Sequence, residues 1–215
     1  WGNFWSVGAN WRISQEEFMK NVRWVNNLSV KASYGVQGND RLLDSNGYDI
    51  YYAWQSFYSL SYPNNTMNGA ALSSLENKGL KWEKNGNLNV GVEGRLFDRV
   101  SFSVEWYQRK TSDMLMSFPM ATSLGFDGYN KNIGSMRNRG LDVSIATDIF
   151  QQPNFGWRLT LMGSTVKNEV LQLADKPEII NGSYIIREGE TINSFYTATA
   201  AGVDPATVIL GVGYG

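Results

Sequence analysis

Six aromatic side chains, Tyr48, Tyr51, Tyr52, Trp54, Phe57 and Tyr58, fall between residues 46 and 60. Flat rings stack on sugar faces, and their polar tips hydrogen-bond hydroxyl groups. Tyr52, Trp54 and Tyr58 are therefore the candidate substrate-binding residues. The same rings could instead pack a hairpin or meet a partner protein, and both alternatives stay open at this point. A second set, Glu93, Arg95, Glu105 and Arg109, lies at alternate positions on two strand-like segments joined by Phe97-Asp98-Arg99. On a common face these four would form cross-strand ion pairs, a plain wall network. Glu93 and Glu105 are formally a carboxylate pair for glycoside cleavage, but that chemistry needs a cleft the sequence does not supply. A third set, Lys176, Arg187, Glu188 and Glu190, makes residues 171–190 a charged surface for a ligand or a protein partner.

Other chemistry is excluded by composition. The chain has no His and no Cys, which removes imidazole bases, thiolate nucleophiles, disulfides and the usual zinc ligands. No catalytic residue, metal ligand or cofactor is expected, so the protein reads as a non-enzyme. A net charge of -1 with 18% charged residues carries no electrostatic footprint for nucleic acid. Asp44-Ser45-Asn46-Gly47 lacks the remaining ligand spacing of a calcium loop and reads as a turn.

The elements that position these residues are strands. Aromatic residues make up 13% of the chain, and 22 Gly stand against 5 Pro, a balance that favours strands and tight turns. Period-2 patterning predicts seven strands, at about 3–13, 27–37, 80–96, 100–110, 137–150, 156–170 and 191–203. One face carries Trp5, Val7, Ala9 and Trp11, then Leu28, Val30, Ala32, Tyr34 and Val36, then Leu88, Val90, Val92 and Leu96. It continues with Val100, Phe102, Val104 and Trp106, then Leu141, Val143, Ile145 and Ile149, and ends with Trp157, Leu159 and Leu161. Lys31, Glu93, Arg95, Glu105, Arg109, Asp142, Asp148 and Arg158 fall opposite, so the apolar side is expected to be free of charge. The seventh segment shows no clean alternation.

Charge segregation is required where lipid covers a sheet, since a mid-depth Lys or Arg costs about 2–4 kcal/mol there. A soluble all-β carbohydrate-binding module would segregate charge too, but it needs a second apolar layer to close a dry core. The connections separate these readings, because every second one is long, as in membrane barrels. All five prolines are expected outside the strands. Ser14-Gln15-Glu16-Glu17, followed by Phe18, Met19 and Val22, predicts a short capped helical turn. Trp5, Trp11, Trp82, Trp106 and Trp157 are candidates for interfacial girdles, with Trp11 and Trp157 at the short-connection end.

Several stretches resemble the barrel of SusC/RagA-type TonB-dependent outer-membrane transporters. They are FWSVGANWRIS (Phe4 to Ser14), LSVKASYGVQGND (Leu28 to Asp40), SSLENKGLKWEKNGNLNVGVE (Ser73 to Glu93) and EWYQRKTSDMLM (Glu105 to Met116). NIGSMRNRGLDVSI (Asn132 to Ile145), LADKPEIINGSYIIREGETINSFY (Leu173 to Tyr196) and AGVDPAT (Ala201 to Thr207) continue the likeness, which stops at VILGVGYG. The resemblance implies an all-β, antiparallel, up-and-down transmembrane barrel of about 22 strands with a plug inside. Residues 1–215 would be one wall of it, with plug and remaining strands elsewhere. It also implies TonB-driven import of oligosaccharides or peptides through the outer membrane. The implied partners are a SusD-like surface lipoprotein, TonB through regions outside these residues, the oligosaccharide or peptide ligand, and outer-membrane lipid.

Overall fold

The structure, a computed structural model, describes residues 2–43, 46–64, 67–125, 128–173, 177–204 and 209–214. In chain order the strands are β1 (Trp5–Trp11), β2 (Val25–Asn39), β3 (Phe57–Asn64), β4 (Met67–Ser74), β5 (Glu83–Leu96), β6 (Val100–Ser112), β7 (Leu115–Pro119) and β8 (Gly128–Asn132). Then follow β9 (Ser135–Gln152), β10 (Phe155–Gln172), β11 (Glu178–Asn181), β12 (Tyr184–Arg187), β13 (Ser194–Phe195), β14 (Ala198–Asp204) and β15 (Ile209–Tyr214). Six of them form one antiparallel sheet in the order β1-β2-β5-β6-β9-β10. These match the first six segments read from the alternation. The sheet does not close on itself, because β1 and β10 are its edges.

Three expectations are corrected. The segment 191–203 does not extend the main sheet: β13 pairs with β12, and β14 pairs with β15. That fits its lack of alternation, since a strand without a distinct apolar face has little to fix its register. Pro63 lies within β3 and Pro119 ends β7, both in two-stranded hairpins where a ladder donor is dispensable. The turn after β1 is two 3-10 turns, Ile13–Gln15 and Glu17–Met19, without a side-chain cap. Ser14 Oγ bonds Asn27 Oδ1 instead (3.3 Å), and the Glu17 carboxylate pairs with Lys20.

The long connections are folded in their own right. Residues 40–82 contain the β3–β4 hairpin, residues 113–134 contain β7–β8, and residues following β10 contain β11, β12 and β13. All lie at one end of the sheet. The other end has short connections, and at Phe97 and Asp98 both central residues adopt positive φ (56° and 57°), as a tight antiparallel hairpin demands. Asn26 holds that turn, accepting from the Asp98 backbone N–H (2.7 Å) and donating to the Asp98 carboxylate (2.6 Å).

The main sheet is a single layer. Its strands make extensive contacts only with their ladder neighbours, and among the described residues no second layer covers the apolar side. Leu161 on that side is 61% exposed, and Val90 and Leu159 are 40% exposed. The dry core that a soluble module requires is therefore missing from this face. A buried cluster does form, from Val170, Leu173, Ile179 and Ile186, but it sits among the loops at the long-connection end.

Register reveals how the apolar face is laid out. One row across the sheet reads Trp11, Val30, Val92, Val104, Val143 and Gly163. Another runs from Trp5 through Val36, Gly86, Lys110 and Arg137 to Glu169. The apolar band does not follow these rows. Its lower edge drops from Trp11 on β1 to Trp157 on β10, about six residues below the row it started in. Its upper edge drops from Trp5 to Leu161, about eight residues lower. At ~3.4 Å per residue and ~4.8 Å per strand spacing, this drift means strands tilted by about 40–50° to the band. Barrel strands in membranes tilt by roughly 35–45°.

The apolar side is not free of charge along its whole length. Lys84, Lys110, Arg137, Arg139, Lys167 and Glu169 share its parity but lie above the band, toward the long connections. Ile149 also leaves the expected face. A register shift between Trp157 and Arg158 sets Phe150 opposite Trp157, where the rings stack 6.1 Å apart. Phe150 therefore takes the place expected for Ile149.

Candidate functional site

The aromatic stretch follows β2. Ile50 N–H donates to Leu42 O (2.8 Å), and Arg41 Nε donates to Asp49 Oδ1 (2.6 Å), which together close residues 41–50 into a loop. Residues 51–54 then turn, with Gln55 N–H bonded to Tyr52 O (2.9 Å). Trp54 faces an open groove of about 430 Å3, lined also by Leu42, Ile50, Tyr51, Lys81 and Trp82. Tyr52 and Tyr58 do not line it; they are 58% and 65% exposed. Tyr58 is on β3, opposite Leu72 of β4. Trp54 is thus brought together with Tyr51 and Trp82, and the other two candidates are not brought into that groove. Trp82 lies at the long-connection end and stacks on Phe4 at 5.6 Å.

Asparagines fix the groove wall to the neighbouring loop. Asn132 at the end of β8 donates from Nδ2 to Lys81 O and Asp113 O, both at 2.8 Å, and its Oδ1 accepts from Lys81 N–H (2.8 Å). Asn77 Nδ2 donates to Asn130 O (2.9 Å). A side-chain amide can mimic a peptide unit in this way and pair with backbone where strand pairing stops.

The polar side of the sheet is a continuous hydrogen-bonded surface, but its ion pairs differ from those expected. Lys31 reaches Glu105 (2.7 Å) and lies 4.0 Å from Glu93, while Arg95 and Arg158 both approach Asp148 (3.9 and 3.2 Å). Glu93, Arg95, Glu105 and Arg109 therefore pair with other residues rather than with one another. The cause is Gly91, which stands between Lys31 and Glu105 in their row: a Cβ there would come within 2.8 Å of Lys31 Cε. The bare backbone lets the lysine cross β5. Both carboxylates share that one cation, which is a wall network rather than an acid/base pair.

Arg109 Nε donates to Asn87 Oδ1 (2.8 Å), and together with Gln37, Asn89, Tyr107 and Asn138 it lines a second open groove of about 590 Å3. Sequence reasoning singled out Arg109 but missed its asparagines. Their signal was present in Asn85, Asn87 and Asn89, which recur at period 2 and so project to one face.

Among the described residues of 171–190, the charges are spent on folding the loop. Arg187 bonds Glu178 and Glu190 (3.1 Å each), which hold its pKa above the ordinary value, Glu190 first. Glu188 accepts from Leu173 N–H (2.7 Å). Lys176 lies outside the described residues.

Aromatic rings mark the short-connection end. Trp24 stacks on Phe97 (5.6 Å), Phe150 meets Phe155 and Trp157, and Trp11 Nε1 donates to Glu16 (2.7 Å). An apolar ring with a wet polar tip suits the interface between hydrocarbon and water.

Known proteins share this arrangement. The family model for the TonB dependent receptor-like β-barrel matches residues 1–215. A TonB-dependent receptor of Formosa agariphila is 36% identical over 204 residues, which is 94% of this chain and 19% of that protein. SusC of Bacteroides thetaiotaomicron is 29% identical over 196 residues, 90% of this chain and 19% of its own length. The solved structure of the RagAB peptide transporter superposes with a TM-score of 0.84 at 29% identity, over 97% of this chain and 23% of that one. The chain spans about a fifth of the length of these curated relatives. With a tilted, single-layer sheet whose loops rise from one end, and with a match along its whole length, the chain belongs to the TonB-dependent receptor β-barrel family, in its SusC/RagA-type branch.

Proposed function

We propose that residues 1–215 are one wall of a larger plugged barrel in the outer membrane, and that the whole protein imports oligosaccharides or peptides with energy from TonB. The observation that carries this reading is the apolar band crossing an uncovered sheet at a barrel-like tilt. Lipid covers the band, the asparagine-rich side faces a polar lumen, and the long connections stand outside the cell. A SusD-like lipoprotein sits over them and shares the captured ligand. Trp54 in its groove, with the exposed rings of Tyr52 and Tyr58 as further contacts, meets that ligand through ring stacking, and the protein's work is binding and gated passage.

The test uses the intact receptor in its own cells. Membrane fractionation is expected to recover it with the outer membrane, and uptake of a labelled oligosaccharide or peptide is expected to stop when TonB is deleted. Trp54→Ala at normal surface levels should lower uptake about three- to tenfold, the worth of one ring contact. Tyr52→Ala and Tyr58→Ala should lower it less. TonB-independent uptake would reject the importer, and undiminished uptake in all three variants would reject the site.

A further inference from the structure

The second open groove, of about 590 Å3, lies on the polar side at the row where Asn87, Arg109 and Asn138 are cross-strand partners. Arg109 stands three residues beyond Trp106, where the apolar band stops on β6, so the groove lies toward the long connections. Gln37, Asn89 and Tyr107 also line it, and among the described lining residues there is one cation and no carboxylate. Gly140 on β9 faces Tyr107, and a Cβ there would come within 2.6 Å of the tyrosine hydroxyl. The missing side chain lets that ring lie over β9 beside the groove.

A chain of hydrogen bonds fixes which atoms face the groove. Ile192 N–H donates to Asn168 Oδ1 (2.8 Å), so the Asn168 amide nitrogen must point the other way, where it donates to Asn138 Oδ1 (2.5 Å). The oxygen of Asn138 is thereby engaged, and its Nδ2 is left to donate. On the other side Arg109 Nε donates to Asn87 Oδ1 (2.8 Å), which orients the guanidinium and leaves its two terminal nitrogens. Among the described residues Arg109 makes no ion pair, and neither its terminal nitrogens nor Asn138 Nδ2 donates to another protein group. The carboxylates of the same face are engaged elsewhere. Glu105 binds Lys31, Asp142 accepts from Ser164, Glu83 accepts from Asn85 (3.1 Å), and Asp113 lies 3.9 Å from Lys84. Glu190, on the loop beside Asn168, bonds Arg187. Glu83, Glu105 and Asp142 each stand four residues along their strands from the Asn87–Arg109–Asn138 row, about 13 Å in extended chain.

We infer that Arg109 and Asn138 form a binding site for a carboxylate group of the transported ligand, carried by an acidic sugar or an acidic peptide. The inference rests on the import reading above, which turns the polar side toward the ligand's path and the long connections outward. A guanidinium with two unengaged nitrogens meets both oxygens of a planar carboxylate in parallel, and the amide beside it adds a third donor. Such charge-assisted bonds are roughly twice as strong as neutral ones, so a ligand is selected here by its charge. The groove shares no lining residue with that of Trp54. A ligand long enough to touch both is stacked on at one and held by its carboxylate at the other.

The test measures direct binding to the intact receptor, purified in neutral detergent. Two pairs of probes separate the sources of the carboxylate: trigalacturonate with its methyl ester, and a blocked glutamate-containing pentapeptide with its glutamine counterpart. In at least one pair the acidic probe should bind the parent receptor about tenfold more tightly than its neutral counterpart. Arg109→Gln should reduce that preference to within about twofold while leaving the neutral probe nearly unaffected. Asn138→Asp should do the same, since it keeps the bond from Asn168 and puts a negative charge where the donor stood. Lys31→Met, elsewhere on the polar side, should leave the preference unchanged. The inference is overturned if the parent prefers neither acidic probe, if the preference survives in both site variants, or if the variants weaken the neutral probe as much as the acidic one. The parent arm needs no variant, and the two site variants perturb folding differently, so a single misfolded variant still leaves the question decided. Failure of the import reading appears separately, as uptake that persists without TonB.

Discussion

Val143 and Asp142 are neighbours in sequence and belong to different worlds. Val143 shares its face with Val104, Val92 and Val30 in a row of apolar side chains that no other layer of the described residues covers. Asp142 accepts a hydrogen bond from Ser164 (2.6 Å) in a surface that also holds the Lys31–Glu105 bridge and the Asn138–Asn168 pair. In a soluble sandwich the apolar face would be the buried and well-packed one. Here the polar face carries the specific interactions and the apolar face carries almost none. The difference teaches that the sheet's register is pinned from its polar side, while its apolar side only has to stay free of charge through the depth of the band.

The largest effect should come from breaking that rule. Val104→Arg or Val143→Arg in the intact receptor is expected to cost about 2–4 kcal/mol, read as a fall in folded, heat-resistant barrel. Ser103→Arg, one residue away on the polar side, should leave the barrel nearly intact. Equal losses at both positions would mean that the faces do not differ in solvent.

A smaller effect is expected where the loops are tied. Asn132→Ala removes three hydrogen bonds between residues 81 and 113 and the end of β8, and should cost about 1–3 kcal/mol locally. Hydrogen exchange should speed up in residues 77–82 and 113–134 while β5 and β6 stay protected. The smallest effect belongs to the Lys31–Glu105 bridge on the polar side. Lys31→Met should cost no more than about 1 kcal/mol, because the pair is roughly a third or more exposed and solvent screens it. Salt should weaken the parent toward the variant; a salt-independent difference would point to packing of the lysine stem across Gly91.

The sequence made the six sheet strands legible because their apolar and polar residues alternate on a strict period of two. Bounds of 100–110 and 137–150 became Val100–Ser112 and Ser135–Gln152, differences of a residue or two at the ends. The hairpins within the long connections were not legible. Tyr58, Leu60 and Tyr62 of β3 are all 58% exposed or more, and Phe57, at the other parity, is 43% exposed, so neither face of that strand is marked by burial. The bulge at Ile149 escaped for a related reason: Ile149 and Phe150 are both apolar, and composition cannot say which of two adjacent apolar residues keeps the face. The site was partly legible. Aromatic density pointed to Trp54, but its groove partners Lys81 and Trp82 arrive from the far end of the same connection, a juxtaposition that Asn132 and Asn77 hold through hydrogen bonds that residue spacing does not reveal.

The central claim is that hydrocarbon covers the apolar side. Nitroxide labels on single cysteines at Val90, Val104, Val143 and Leu159, and on the polar side at Asn89, Ser103, Ser144 and Thr160, would test it directly in the intact receptor reconstituted in bilayers. Oxygen, which concentrates in lipid, should relax the first set more strongly, and a water-soluble nickel chelate should relax the second, alternating residue by residue along each strand. Equal access of the nickel chelate to both sets, or its exclusion from both, would contradict the account.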